Sequence, residues 1–266
     1  MKLAQFMTGE NDALTGRMDG NIITEIKGSI FSAFSCTERK WDISDVKLLP
    51  PVNPPNVIAI GLNYHEHARE SGKQVPDKPL IFLKATSSII GPEDDIKLPP
   101  QASDSVDYEA ELGIVMGKKA KDISPCEADD YILGYTCVND VTARDCQEND
   151  GQWARAKSFD SFCPFGPFIE TSADPESAAI KSYLNGKLKQ NSEAEDMIFS
   201  YDEIISYCSR QMTLLPGTLI TTGTPPGVGK GQKPPRYLRH GDEIEITIKG
   251  IGTLSNQVVK DISSSS

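Results

Sequence analysis

The chain has 266 residues, 38% hydrophobic and 24% charged, an ordinary composition for one large globular domain or one large and one small. Its formal net charge of −11, with no basic cluster, excludes nucleic acid and anionic membrane surfaces as partners, so an anionic substrate would need a metal or a few placed Lys and Arg to attract it. No apolar run is long enough for a signal peptide or a bilayer span, and the cysteines at 36, 126, 137, 146, 163 and 208 lack C-x-x-C spacing, so free thiols in a cytoplasmic protein are expected.

Residues 1–52 read as a small N-terminal domain, with short strands at 3–7 and 22–26 and turn chemistry at Met18-Asp19-Gly20-Asn21. Pro50, Pro51, Pro54 and Pro55 then stop regular structure and act as a connector to a larger domain over 53–262. A buried strand at 57–61 is followed by a short helix at 64–71, with Asn63 as its cap and Gly72 as its stop. That helix is barely two turns long and is a candidate flap. Strands follow at 80–83, 106–117, 131–139 and 165–170. Asn185-Gly186 marks a hairpin between 180–184 and 187–190. Ser200 and Glu203 form a capping box that opens a helix to about Met212. A strand at 219–222 leads into a glycine-rich turn, and Ile244, Ile246 and Ile248 alternate with polar residues in a strand that pairs with 253–259. The 263–266 tail is expected to fray. Regular β-α-β alternation is absent, so the class is α+β weighted to β.

The chemistry concentrates at 106–117. Glu109 and Glu111 sit at i and i+2 of a strand, so both point to one side, where each carboxylate resists ionising beside the other. Spacing alone leaves two readings: a strand end with solvated glutamates, or a hard, oxygen-liganded cation, Mg²⁺ before Ca²⁺ or Mn²⁺. A third acid, Asp140, ends the 131–138 apolar run and favours the cation. His67 and Glu70 are i and i+3 on the short helix, either a solvated face or an imidazole oriented by a carboxylate. His65 and His240 read as bystanders. Gly223 to Gly231 matches no phosphate-loop spacing; it is a tight turn in which Thr224 and backbone N–H groups could hold a carboxylate. Arg144, Gln147 and Lys157 lie close after Asp140 in the chain.

These segments resemble the fumarylacetoacetate hydrolase family. The matching pieces are Ile60-Gly61-Leu62-Asn63-Tyr64 with His67 and Glu70; Asp107-Tyr108-Glu109-Ala110-Glu111-Leu112; Asn139-Asp140-Val141-Thr142-Ala143-Arg144-Asp145; and Ala156-Lys157-Ser158-Phe159-Asp160, with 219–227 and 242–258 completing the order. The resemblance implies a mixed-sheet β-roll with a small N-terminal domain, a homodimer, and a catalytic domain over 53–262. It implies Mg²⁺, or Mn²⁺ in its place, on Glu109, Glu111 and Asp140. It further implies His67 and Glu70 as a catalytic dyad on a lid, Lys157 and Gln147 on a small anionic substrate, Arg144 in support, and Thr224 holding a substrate carboxylate. The short N-terminal part disfavours the enzyme that cleaves fumarylacetoacetate itself, and Leu62 stands where acylpyruvase-like members carry a basic residue. The implied activity acts on a small 2-oxo or 2-hydroxy-dienoic di-acid through a metal-chelated enolate, as an isomerase or tautomerase. The alternatives are a C–C hydrolase of acylpyruvase or fumarylpyruvase type, an oxaloacetate decarboxylase, or a binder that retains metal and ligand without catalysis.

Overall fold

A computed structural model describes residues 1–9, 13–99 and 103–261; the 263–266 tail lies outside the described residues. The fold is α+β and strand-rich. Its main sheet runs in the order Phe34–Asp42, Ile22–Gly28, Ala13–Asp19, Lys2–Met7, Cys163–Glu170, Ile132–Asn139, Ala110–Met116, Leu219–Thr221, Val57–Gly61 and Leu80–Lys84. A second sheet orders Lys187–Glu193, Ala179–Leu184, Glu243–Ile248, Gly252–Lys260 and Ile96–Leu98. Both mix parallel with antiparallel neighbours: Leu219–Thr221 runs parallel to Val57–Gly61, and Gly252–Lys260 parallel to Ile96–Leu98. The sheets face each other over one apolar core. Ile58, Ile60, Leu112 and Ile114 of the first meet Ile180, Ile244, Ile246, Ile248 and Leu254 of the second, all buried. The alternation at 244–248 therefore aims one face inward, as period-2 patterning requires.

The N-terminal strands extend the main sheet: Lys2 pairs with Glu170 and Leu3 with Ile169. Ala13–Asp19, whose apolar Ala13, Leu14 and Met18 do not alternate, and Phe34–Asp42, which is mostly polar and has no buried residue, escape a hydrophobicity reading, and Phe34–Asp42 forms the sheet edge. The Asn185-Gly186 turn, with both residues at positive φ, closes its hairpin as expected. The helix Tyr201–Gln211 carries the Ser200/Glu203 capping box.

Two expectations are corrected. The helix after Val57–Gly61 spans His65–Glu70, and Asn63 does not cap it. The Asn63 side chain instead accepts from Phe199 N (2.9 Å) and donates to Thr222 O (2.8 Å) and Phe199 O (3.1 Å), so it ties the start of this helix to two distant segments. The 106–117 stretch is two strands, Val106–Asp107 and Ala110–Met116. Between them the ladder gives way to side chains. Glu109 N donates to Asn139 Oδ1 and Ala110 N to Gln190 Oε1, each at 3.0 Å, so these groups are satisfied without a neighbouring strand.

Candidate active site

Ala110–Met116 and Ile132–Asn139 are antiparallel partners in register Ala110↔Asn139 and Glu111↔Val138. That register sets Asp140, just past one strand, beside Glu109, just before the other; Asp140 N donates to Glu109 O at 2.9 Å. Glu109, Glu111 and Asp140 are all buried, and each offers a carboxylate oxygen within 4.8 Å of the others. Glu111 also accepts from Gly223 N at 2.9 Å. Three converging, buried, all-oxygen donors fit a hard divalent cation and not a soft one.

Cations surround this trio. Lys157, from the short helix Ala154–Lys157, bridges Glu109 Oε2 (2.6 Å) and Asp140 Oδ2 (2.5 Å). Arg144 Nη1 lies 2.6 Å from Glu109 Oε1, and its Nε donates to Asp107 Oδ2 at 2.8 Å. Lys84, the last residue of Leu80–Lys84, donates to Asp140 Oδ1 at 2.5 Å with both side chains fully buried. The acids divide accordingly. Burial works to raise the Glu109 carboxyl, but Arg144 and Lys157 hold it well below the usual carboxylate range. Burial, with Asp140 and Glu109 alongside, pushes the Glu111 carboxyl well above it. Burial works to lower the Lys157 ammonium, and Asp140 and Glu109 outweigh it, keeping it charged.

His67 and Glu70 of the helix His65–Glu70 line the same cavity as the trio. His67 Nδ1 lies 3.1 Å from Glu70 Oε2, and Glu70 Oε1 accepts from Gly227 N at 3.0 Å. One carboxylate therefore orients the ring and fastens the helix to the glycine-rich loop. That loop is held from beneath by Asp107, which accepts from Gly229 N (2.7 Å) and Lys230 N (3.0 Å). Gly227 has φ +101, and a Cβ there would lie 2.2 Å from Lys189 O, so this turn requires glycine. His65 and His240 are exposed, and His65 does not line the pocket.

A partly open cavity of about 220 Å³ is lined by His67, Glu70, Glu109, Glu111, Asp140, Arg144, Gln147, Lys157 and Thr224, so all nine residues singled out in the sequence border one space. Gln147 accepts from Arg144 Nη1 at 3.1 Å. The Thr224 hydroxyl donates to Ala110 O (3.0 Å) and accepts from Gln190 Nε2 (2.7 Å). Arg144 Nη2 is buried and has no hydrogen-bond partner among the described residues. Lys84 and Asp107 were missed as site residues. A lysine ending a short apolar strand carries no local signal, whereas Asp107 lies in the same acidic motif as Glu109 and Glu111.

Residues 56–259 match the family model described as fumarylacetoacetate (FAA) hydrolase C-terminal, and residues 1–51 match one described as Rv2993c-like, N-terminal. An oxaloacetate tautomerase of Bacillus subtilis is 44% identical over 225 residues, 82% of this chain and 75% of that protein. The structure of a 5-carboxymethyl-2-hydroxymuconate delta-isomerase from Mycobacterium smegmatis superposes with a TM-score of 0.89 at 40% identity, covering 98% of this chain and all of that one. A maleylpyruvate hydrolase from Sphingobium superposes at 0.80 with 28% identity, covering 98% of this chain and all of the other.

Proposed function

The chain belongs to the fumarylacetoacetate hydrolase family, an enzyme family of isomerases and hydrolases, and from that premise we propose that it is an Mg²⁺-dependent tautomerase or isomerase of a small 2-oxo or 2-hydroxy-dienoic di-acid. The observation that carries this reading is the buried Glu109/Glu111/Asp140 trio beneath the His67–Glu70 pair, facing it across one small cavity. Mg²⁺, or Mn²⁺ in its place, held by the trio would supply a Lewis acid for the negative charge that develops on the substrate's 2-oxygen. With Nδ1 engaged by Glu70, His67 has Nε2 left to take a proton from the substrate carbon and return it elsewhere. Glu70 stabilises the imidazolium that results. Arg144 Nη2 and Lys157 neutralise the substrate carboxylate locally, which lets a protein of net charge −11 bind an anion. Gln147 borders the substrate, and Thr224 would turn its hydroxyl from Ala110 to a substrate oxygen.

The same dyad could activate water, and the maleylpyruvate hydrolase neighbour makes C–C hydrolysis the second reading. A named tautomerase at 44% identity and a named isomerase at 40%, against 36% for a fumarylacetoacetate hydrolase from Exiguobacterium antarcticum and 28% for the maleylpyruvate hydrolase, favour proton transfer. The proposal includes a cytoplasmic homodimer; no described helix is long and apolar enough to cross a membrane. The test follows the enol absorbance of oxaloacetate and of acylpyruvates, with and without chelator. Enol–keto equilibration accelerated by Mg²⁺, abolished by chelator and by Glu111→Ala, is expected. Turnover indifferent to both would overturn the reading, release of pyruvate and a second carboxylic acid from an acylpyruvate would replace it with hydrolysis, and release of CO₂ from oxaloacetate would replace it with decarboxylation.

A further inference from the structure

The far end of the cavity is built differently from the acidic end. Lys73 follows the lid helix; its N–H donates to Ala68 O at 3.0 Å, so the residue rides on the lid. Its ammonium stands over the Trp153 ring, 5.4 Å from the centroid, and borders the cavity. Trp153 meets Phe82 edge-on at 5.3 Å, and the Lys157 ammonium lies 5.2 Å from the Phe82 centroid. Two touching rings thus form an apolar wall with one ammonium at the acidic end and one at the mouth. The wall is fixed from behind: a Cβ at Gly61 would lie 2.4 Å from Trp153 Cζ3, so the indole packs directly on backbone.

The two cations at the mouth differ. Lys230 is paired with Glu148. Lys73 has no carboxylate within ion-pairing distance among the described residues, although it faces Lys230, Arg144 and Lys157. Lys73 is exposed at the mouth; partial desolvation of its ammonium, with Lys230, Arg144 and Lys157, lowers its pKa against the opposing pull of Glu109. Leu62, which also lines the cavity, supplies no charge.

We infer that Lys73 seats the second, distal carboxylate of the substrate, so that the enzyme selects 2-oxo dicarboxylates whose hydrocarbon middle lies along Phe82 and Trp153. The inference rests on the function proposed above and adds to it the group that reads the far end. Because Lys73 moves with the lid, the same contact would favour closure of His67 and Glu70 over a di-acid.

Calorimetry on the full-length protein with saturating Mg²⁺ tests this, using pyruvate against oxaloacetate, 2-oxoglutarate and 2-oxoadipate. At least one di-acid should bind about tenfold or more tightly than pyruvate, the preference a single charge-assisted hydrogen bond supplies. Lys73→Met, which keeps the stem, should cut that ratio about tenfold, and Lys73→Arg should retain most of it. A ratio unchanged in Lys73→Met, or a wild-type protein that binds no di-acid more tightly than pyruvate, overturns the distal subsite while leaving the proposed chemistry standing. Failure of pyruvate and every di-acid to bind overturns the proposed function and the subsite with it.

Discussion

Replacing Glu109 and Glu111 by glutamine, one at a time, separates the two kinds of carboxylate in the buried trio. Glu109 lies 2.6 Å from both Arg144 Nη1 and Lys157 Nζ, and all three side chains are at most 7% exposed. Removing one member of a buried ion pair costs about 3–5 kcal/mol, because the partner's charge is left in low dielectric. Lys157 keeps Asp140 and Arg144 keeps Asp107, so Glu109→Gln should fall at the lower end, about 3 kcal/mol. Glu111 makes no ion pair among the described residues; it accepts from Gly223 N–H, and the Thr221 hydroxyl also favours its charged form, contacts an amide oxygen can also accept. Its folded pKa lies above the ordinary 4.5, so its stabilising contribution is fully present below that pH and is lost as pH rises through the folded value. Glutamine has no proton to lose. In chelator, Glu111→Gln should therefore gain on wild type as pH rises from 5 to 8. With Mg²⁺ at about a hundred times its dissociation constant, wild type should gain about 2.7 kcal/mol, and both variants should lose most of that gain. Urea denaturation at pH 5 and 8, with chelator and with excess Mg²⁺, reads all of these effects. Equal destabilisation by the two substitutions in chelator would refute the charge assignment, and an undiminished Mg²⁺ gain in Glu111→Gln would refute the cation site.

Lys84→Met strips Asp140 of one of its two cations and should cost about 3 kcal/mol in urea denaturation; a change under about 1 kcal/mol would mean the pair is not buried as described. Glu70→Gln removes the carboxylate from His67 and weakens the fastening to Gly227, so kcat should fall about a hundredfold or more with KM changing far less; an equal rise in KM alone would assign Glu70 to binding. Asn63→Ala leaves Phe199 N and Thr222 O unpaired in the interior and should cost about 2–4 kcal/mol, seen as a lower Tm, whereas a helix cap alone would cost about 1 kcal/mol. Burial works to raise the Asp242 carboxyl, but Arg236, Asn185 and the Arg239 N–H outweigh it and hold its pKa below 3.8. Its stabilisation is thus present above that ordinary value and lost as pH falls through the lower folded one, so Asp242→Asn should flatten the acid limb of stability against pH.

The sequence by itself determined what depends on near neighbours in the chain. Period-2 alternation at Ile244, Ile246 and Ile248, the Asn185-Gly186 turn and the Ser200/Glu203 box each act over a few residues, so each was legible without the fold. The acidic motif was legible as chemistry too, since two carboxylates at i and i+2 with nothing nearby to neutralise them call for a positive charge. Polar edge strands such as Phe34–Asp42 were not, because an exposed strand needs no apolar alternation. Tertiary structure alone decided which positive charges answer the acids. Lys84, Arg144 and Lys157 reach the trio from separate elements, and nothing around Lys84 in the chain distinguishes it from a surface lysine. It likewise turned Asn63 from a cap into a tie, and set the Lys73 ammonium over the Trp153 ring at the edge of the cavity. Partners far apart in the chain meet only through strand register, and a one-residue change of pairing would send every side chain of a strand to the opposite face.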